Sequence, residues 1–190
     1  PNVADAPPGI ANNPPKRSEL QVLEKSLQQS LKNGEFSIQY QPKVNIENND
    51  ITGMEALLRW NHPTNGSISP AKFIPLVEEY DLILTIGEWM LNKVCLQVKR
   101  WQKQGLSPLT ISVNLSMKEF YQPSLTSMID KVLVESGLNP HCLELEVSES
   151  TVMQNVESAK KVLSDLQALG VQVAIDDFGT DPFNVLRIIR

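Results

Sequence analysis

From Phe36 onward the chain alternates short apolar runs with amphipathic helical stretches, and that alternation restricts its fold more than any other feature. FSIQYQPKV at 36–44 and ITGMEALLRW at 51–60 read as two strands around the turn-rich NIENND. A short helix is expected over 71–79. Leu91, Val94, Val98 and Trp101 then share one helical face that ends at Gly105. LTISVNL is a buried-strand run. Pro123 opens a helix through Leu125, Met128, Ile129, Val132 and Leu133, closed by Gly137. After the strand CLELEV, residues Val156, Ala159, Val162, Leu163, Leu166 and Leu169 form an amphipathic helix stopped by Gly170, and VQVAI follows. A strand pair followed by repeated helix–strand units argues for an α/β fold with a parallel sheet, either doubly wound or closed into a barrel. No glycine-rich phosphate loop follows any strand, which counts against dinucleotide-binding and P-loop folds.

The 190 residues suit one domain, or one domain with an appendage. Residues 1–17 are rich in proline and read as a linker or tail; 18–34 read as a leading helix, with Leu20, Leu23, Leu27 and Leu31 at helical spacing. The main domain is expected over 35–190. A net charge of −5 excludes a protein that grips a nucleic-acid backbone over a basic face. No apolar run is long enough to span a bilayer, and no signal peptide is evident. Cys95 and Cys142 match no metal or redox spacing and are expected as buried reduced thiols, which places the chain in the cytoplasm, free or as part of a membrane-anchored protein. His62 and His141 lie in proline-flanked loops and are expected in solvent. Trp60, Trp89 and Trp101 are expected to pack rather than to stack on a ligand.

The chemistry collects at the strand ends. ITGMEALLRW carries Glu55 and Arg59, LTISVNL carries Asn114, CLELEV runs into Glu146 and Glu149, and VQVAI ends in Asp176-Asp177. In parallel βα folds these ends share one edge, where active sites are built. Carboxylates with one amide suit Mg²⁺ or Mn²⁺ rather than zinc. Strand alternation puts Glu55, Leu57 and Arg59 on one face. Either charged residue alone reads equally as half of a structural ion pair, and the Asp-Asp pair as a turn or helix cap.

EALLR at 55–59, YQP at 40–42, FIPLVEEYDLI at 73–83, SVNLS at 112–116, ELEVSES at 144–150 and AIDDFGT at 174–180 together resemble the EAL-domain family, from about Leu27 to Thr180. The resemblance implies a modified (β/α)8 TIM-type barrel with one antiparallel strand, and Mg²⁺- or Mn²⁺-dependent hydrolysis of cyclic di-GMP to linear pGpG, with Ca²⁺ inhibitory. It implies Glu55, Asn114, Glu146 and Asp176 as metal ligands, with Asp177 helping to hold a second metal; Glu55, Asp176 and Asp177 would be the catalytic carboxylates. Arg59 would grip a phosphate, Gln41 and Leu57 would line the dinucleotide site, and Ser148 with Glu149 would steady the loop after the Asp-Asp strand. An upstream sensory or GGDEF domain is the implied partner, and a homodimer is expected where a second chain pairs the strand edges that an incomplete barrel leaves open.

The pattern breaks after Thr180, where Asp181-Pro182 stands in place of the family's Gly-Tyr step. The family's catalytic lysine and a later glutamate have no counterpart, no lysine following Lys161. The barrel is therefore expected to be incomplete in this chain, lacking its last strands, and hydrolysis by the lone chain weak or absent. The alternatives are a non-catalytic cyclic di-GMP receptor or interaction module and, more remotely, a generic metal-dependent barrel hydrolase.

Overall fold

A computed structural model of the chain describes residue 27 and residues 29–176. Helical residues at Leu27 and 29–30 lead through a turn at 31–34 into β1 (Phe36–Val44). Leu27 is buried beside Phe36, Trp60 and Phe73, so this end of the leading helix packs into the domain, and it stops short of the expected residue 34. The 45–50 connection turns on its asparagines: Asn45 and Asn48 side chains accept from the amides two residues on, and Asn49 takes a left-handed φ of 60°.

β2 (Ile51–His62) pairs antiparallel with β1 and with a short β3 (Gly66–Ile68), which replaces part of the proline-rich loop expected there. Helices α1 (Pro70–Glu79) and α2 (Leu82–Lys103) return the chain to β4 (Thr110–Leu115). A one-turn α3 (Met117–Phe120) and α4 (Leu125–Ser136) precede β5 (Leu143–Ser148); α5 (Glu149–Gln154) and α6 (Val156–Ala168) precede β6 (Gln172–Asp176). The sheet order is β1-β2-β4-β5-β6, with β2, β4, β5 and β6 parallel.

Register divides the sheet into two unlike faces. Ala56, Ile111, Val113, Leu115, Leu143, Leu145 and Val147 are all buried against Leu91, Val94 and Val98 of α2, Ile129 and Leu133 of α4, and Leu166 of α6. Tyr40 continues this outer face, its ring meeting Trp101 edge-on at 4.8 Å. A second cluster of Phe36, Trp60, Phe73, Val77 and Ile86 closes the β3 end, where the Trp60 indole donates to Glu35 at 2.9 Å. Both cysteines are buried and free, as their spacing suggested. His62 departs from expectation: it is buried, its ring 5.5 Å from Trp60, and its Nδ1 accepts from the Thr64 and Asn65 amides because β3 folds the loop back over it. No helix among the described residues is long and apolar enough to cross a membrane.

Candidate functional site on the inner sheet face

The opposite face of the sheet is polar on every strand. Antiparallel pairing sets Gln39 opposite Leu57, Gln41 opposite Glu55 and Lys43 opposite Gly53, so these side chains share one face. Parallel pairing extends it through Glu55–Ser112–Glu144–Gln172, Asn114–Glu146–Ala174 and Ser148–Asp176. Glu55, Asn114, Glu146 and Asp176 thus come from four adjacent strands to one surface near their C-terminal ends. Asp177 lies outside the described residues.

The face is held by direct contacts. The Asn114 amide donates to Glu55 at 2.8 Å. Lys43 Nζ donates to Ser112 at 2.5 Å, to Glu144 at 3.0 Å and to Glu146 at 2.5 Å, while the Ser112 hydroxyl donates to Glu144 at 2.5 Å. Lys43 stands on β1 and Glu146 on β5, with β2 and β4 between them. In a flat sheet such strands lie about 14 Å apart. The contact requires the sheet to curl strongly, as barrel strands do. Burial works to lower the Lys43 pKa, but its bonds to Glu146 and Glu144 outweigh it and raise the value. For Glu144, burial works upward and the Ser112 and Lys43 bonds prevail, holding it below the usual carboxylate value.

At the rim, Arg59 Nε donates to Gln39 at 2.9 Å and Nη1 to the Leu58 carbonyl at 2.9 Å, which aims the guanidinium and leaves further N–H groups for a ligand. Gln39 and Gln41 are exposed, and Leu57 is half-buried. Beside Arg59 and Asn114, a cavity of about 290 Å³ opens between the sheet and α1–α2, lined by Leu58, Ile86, Met90 and Glu119. Ser148 caps α5, accepting from the Thr151 amide at 3.2 Å, and Glu149 is buried in its first turn. The loop this pair is expected to steady falls outside the described residues.

A family model described as EAL domain matches residues 24–190. The chain belongs to the EAL domain family. It is 40% identical over 174 residues to the bifunctional diguanylate cyclase/cyclic di-GMP phosphodiesterase MucR of Pseudomonas aeruginosa, an alignment that takes 92% of this chain and 25% of MucR. The solved structure of the MucR phosphodiesterase in complex with c-di-GMP matches with a TM-score of 0.83 at 40% identity, covering 88% of this chain and 68% of that one. The FimX EAL domain of the same organism, bound to c-di-GMP, matches with a TM-score of 0.74 at 26% identity, covering 86% and 66%. The chain spans only a quarter of the length of MucR. These neighbours bear out the EAL family and its α/β barrel architecture, of which this chain is part.

Three carboxylates and one amide on a common face are the hard oxygen donors that Mg²⁺ and Mn²⁺ take. Among the described residues, no three histidine, cysteine or acidic side chains form a ready cage. Asn114 donates to Glu55, and Lys43 occupies Glu146. The donors match a divalent cation in kind and in strand position, while Glu55 and Glu146 are turned to Asn114 and Lys43 rather than gathered into a cage. Sequence reasoning missed Lys43, Ser112 and Glu144, although the period of two that selected Glu55 and Arg59 also places Lys43 two residues beyond Gln41 on the same face.

Proposed function

We propose that this EAL domain binds cyclic di-GMP over the C-terminal ends of its parallel strands and hydrolyses it to linear pGpG with Mg²⁺ or Mn²⁺. The observation that carries the reading is the shared face of Glu55, Asn114, Glu146 and Asp176 on four adjacent strands, with Arg59 at its rim. Glu55, Asn114, Glu146, Asp176 and Asp177 would hold the cations. When bound, such cations acidify water and offset phosphate charge, which lets a strongly acidic face accept a dianion. Arg59, pre-aimed by Gln39, would bind one phosphate; Gln41 and Leu57 would line the dinucleotide path, and the Asn114 amide would keep Glu55 turned toward the site. Ca²⁺ would occupy the same oxygens and inhibit. An upstream GGDEF-type or sensory domain, a homodimer and a place in bacterial second-messenger signalling in the cytoplasm belong to the same reading.

A second reading, a non-catalytic cyclic di-GMP receptor, is favoured by Asp181-Pro182, which puts a rigid residue where the family pattern has the Gly-Tyr step. Chromatography of cyclic di-GMP incubated with the purified chain and Mg²⁺ or Mn²⁺ separates the two. Appearance of pGpG, lost in Glu55→Ala, supports the enzyme. Folded protein that binds the dinucleotide and forms no product supports the receptor.

A further inference from the structure

The family pattern read from the sequence gives no task to the cation at the centre of the inner face. Lys43 Nζ touches one oxygen of Glu146, one oxygen of Glu144 and the Ser112 hydroxyl, so β4 and β5 both converge on one ammonium carried by β1. Its reach depends on a specific neighbour: Gly53 stands opposite Lys43 in the β1–β2 register and places no side chain on the face that Lys43 must cross. Glu146 has 12% of its side chain exposed and Glu144 has 21%, so two carboxylates stand two residues apart in a confined space. Without a cation between them they would repel, and Glu146 would be free to swing.

We infer that Lys43 is a positioning residue for the metal site, fixing Glu146 through its Oε1 so that the second carboxylate oxygen is presented to a divalent cation. The inference rests on the metal-binding reading of Glu146 given above. Ligating carboxylates are themselves held by hydrogen bonds in many metal sites, and loss of such a holder typically weakens metal affinity about 10- to 100-fold. Ser112 and Glu144 act as the anchor of the ammonium: Ser112 is fully buried and bonds both Lys43 and Glu144, which fixes where Nζ sits.

The test is Mn²⁺ binding to the full chain, read from the electron paramagnetic resonance signal of free Mn²⁺, with folding followed by circular dichroism. The wild type is expected to bind, Lys43→Met to bind at least about tenfold more weakly, and Lys43→Arg to recover part of the loss. If Lys43→Met fails to fold, the double variant Lys43→Met/Glu144→Gln removes the cation together with one of its carboxylates, and the same loss is expected. Affinity within twofold of wild type in a folded Lys43 variant, or tighter binding, overturns the positioning role while leaving the metal site standing. A wild type that binds no Mn²⁺ overturns the metal reading and the positioning role together.

Discussion

Individual carboxylates of this fold are kept charged or neutral by their immediate partners. Glu144 has a folded pKa below its unfolded value, so its contribution to stability is present above about pH 4.3 and is lost as pH falls through the lowered folded value. Lys43 has a raised folded pKa, so its contribution is present below the unfolded lysine value and disappears only as pH rises through the raised one. Between these limits the Lys43–Glu144 pair is fully charged. Urea unfolding between pH 3 and pH 7 should show Glu144→Gln losing less stability on acidification than the wild type; parallel curves would contradict this. Glu119 behaves in the opposite sense. Burial raises its pKa against the Ser116 hydrogen bonds, so its ionisation costs stability as pH rises above the ordinary carboxylate range. Glu119→Gln can keep the capping box with Ser116 and should raise the thermal midpoint at pH 8, with the gain shrinking toward pH 4. The residues that carry the candidate site were legible because period-two geometry sorts a strand into faces without any knowledge of its neighbours. Lys43 was not, because its meaning lies in Glu144 and Glu146, about a hundred residues away.

At the scale of elements, the long periodic segments were readable and the short ones were not. β1, β2, β4, β5, β6, α2, α4 and α6 fall where the apolar spacing puts them, though α2 starts at Leu82, nine residues before Leu91, the first residue of its expected apolar face. β3, α3 and α5 have three, four and six residues, too few for a 3.6- or 2-residue period to stand out. Their signals are local chemistry: Ser116 caps α3 and Ser148 caps α5. The sheet also has a tight point. A Cβ on Gly53 would come 2.8 Å from the Thr110 carbonyl oxygen, directly under the β2–β4 pair that carries Glu55 and Asn114. Gly53→Ala should cost about 1–3 kcal/mol in chemical unfolding by forcing these strands apart. An unchanged unfolding midpoint would show that the strands have slack there.

At the scale of the whole molecule, the two faces of one sheet divide the labour. The outer face buries valine, leucine and isoleucine against α2, α4 and α6 and supplies the stability; the inner face gathers carboxylates, an amide and two cations that a simple core would exclude. Alternation of strands and helices announced the parallel sheet, but its curl is visible only when β1 reaches β5 through Lys43, a contact that no sequence window contains. The proposed function has the inner rim recognise cyclic di-GMP through Arg59 and the oxygen donors beside it. Isothermal titration calorimetry of the folded chain with cyclic di-GMP in Ca²⁺ buffer, beside Arg59→Ala, decides whether it does. The wild type should bind saturably and, on loss of a charge-assisted phosphate contact, the variant should bind about tenfold or more weakly. Absence of binding by folded wild type, or equal affinity in Arg59→Ala, would contradict it.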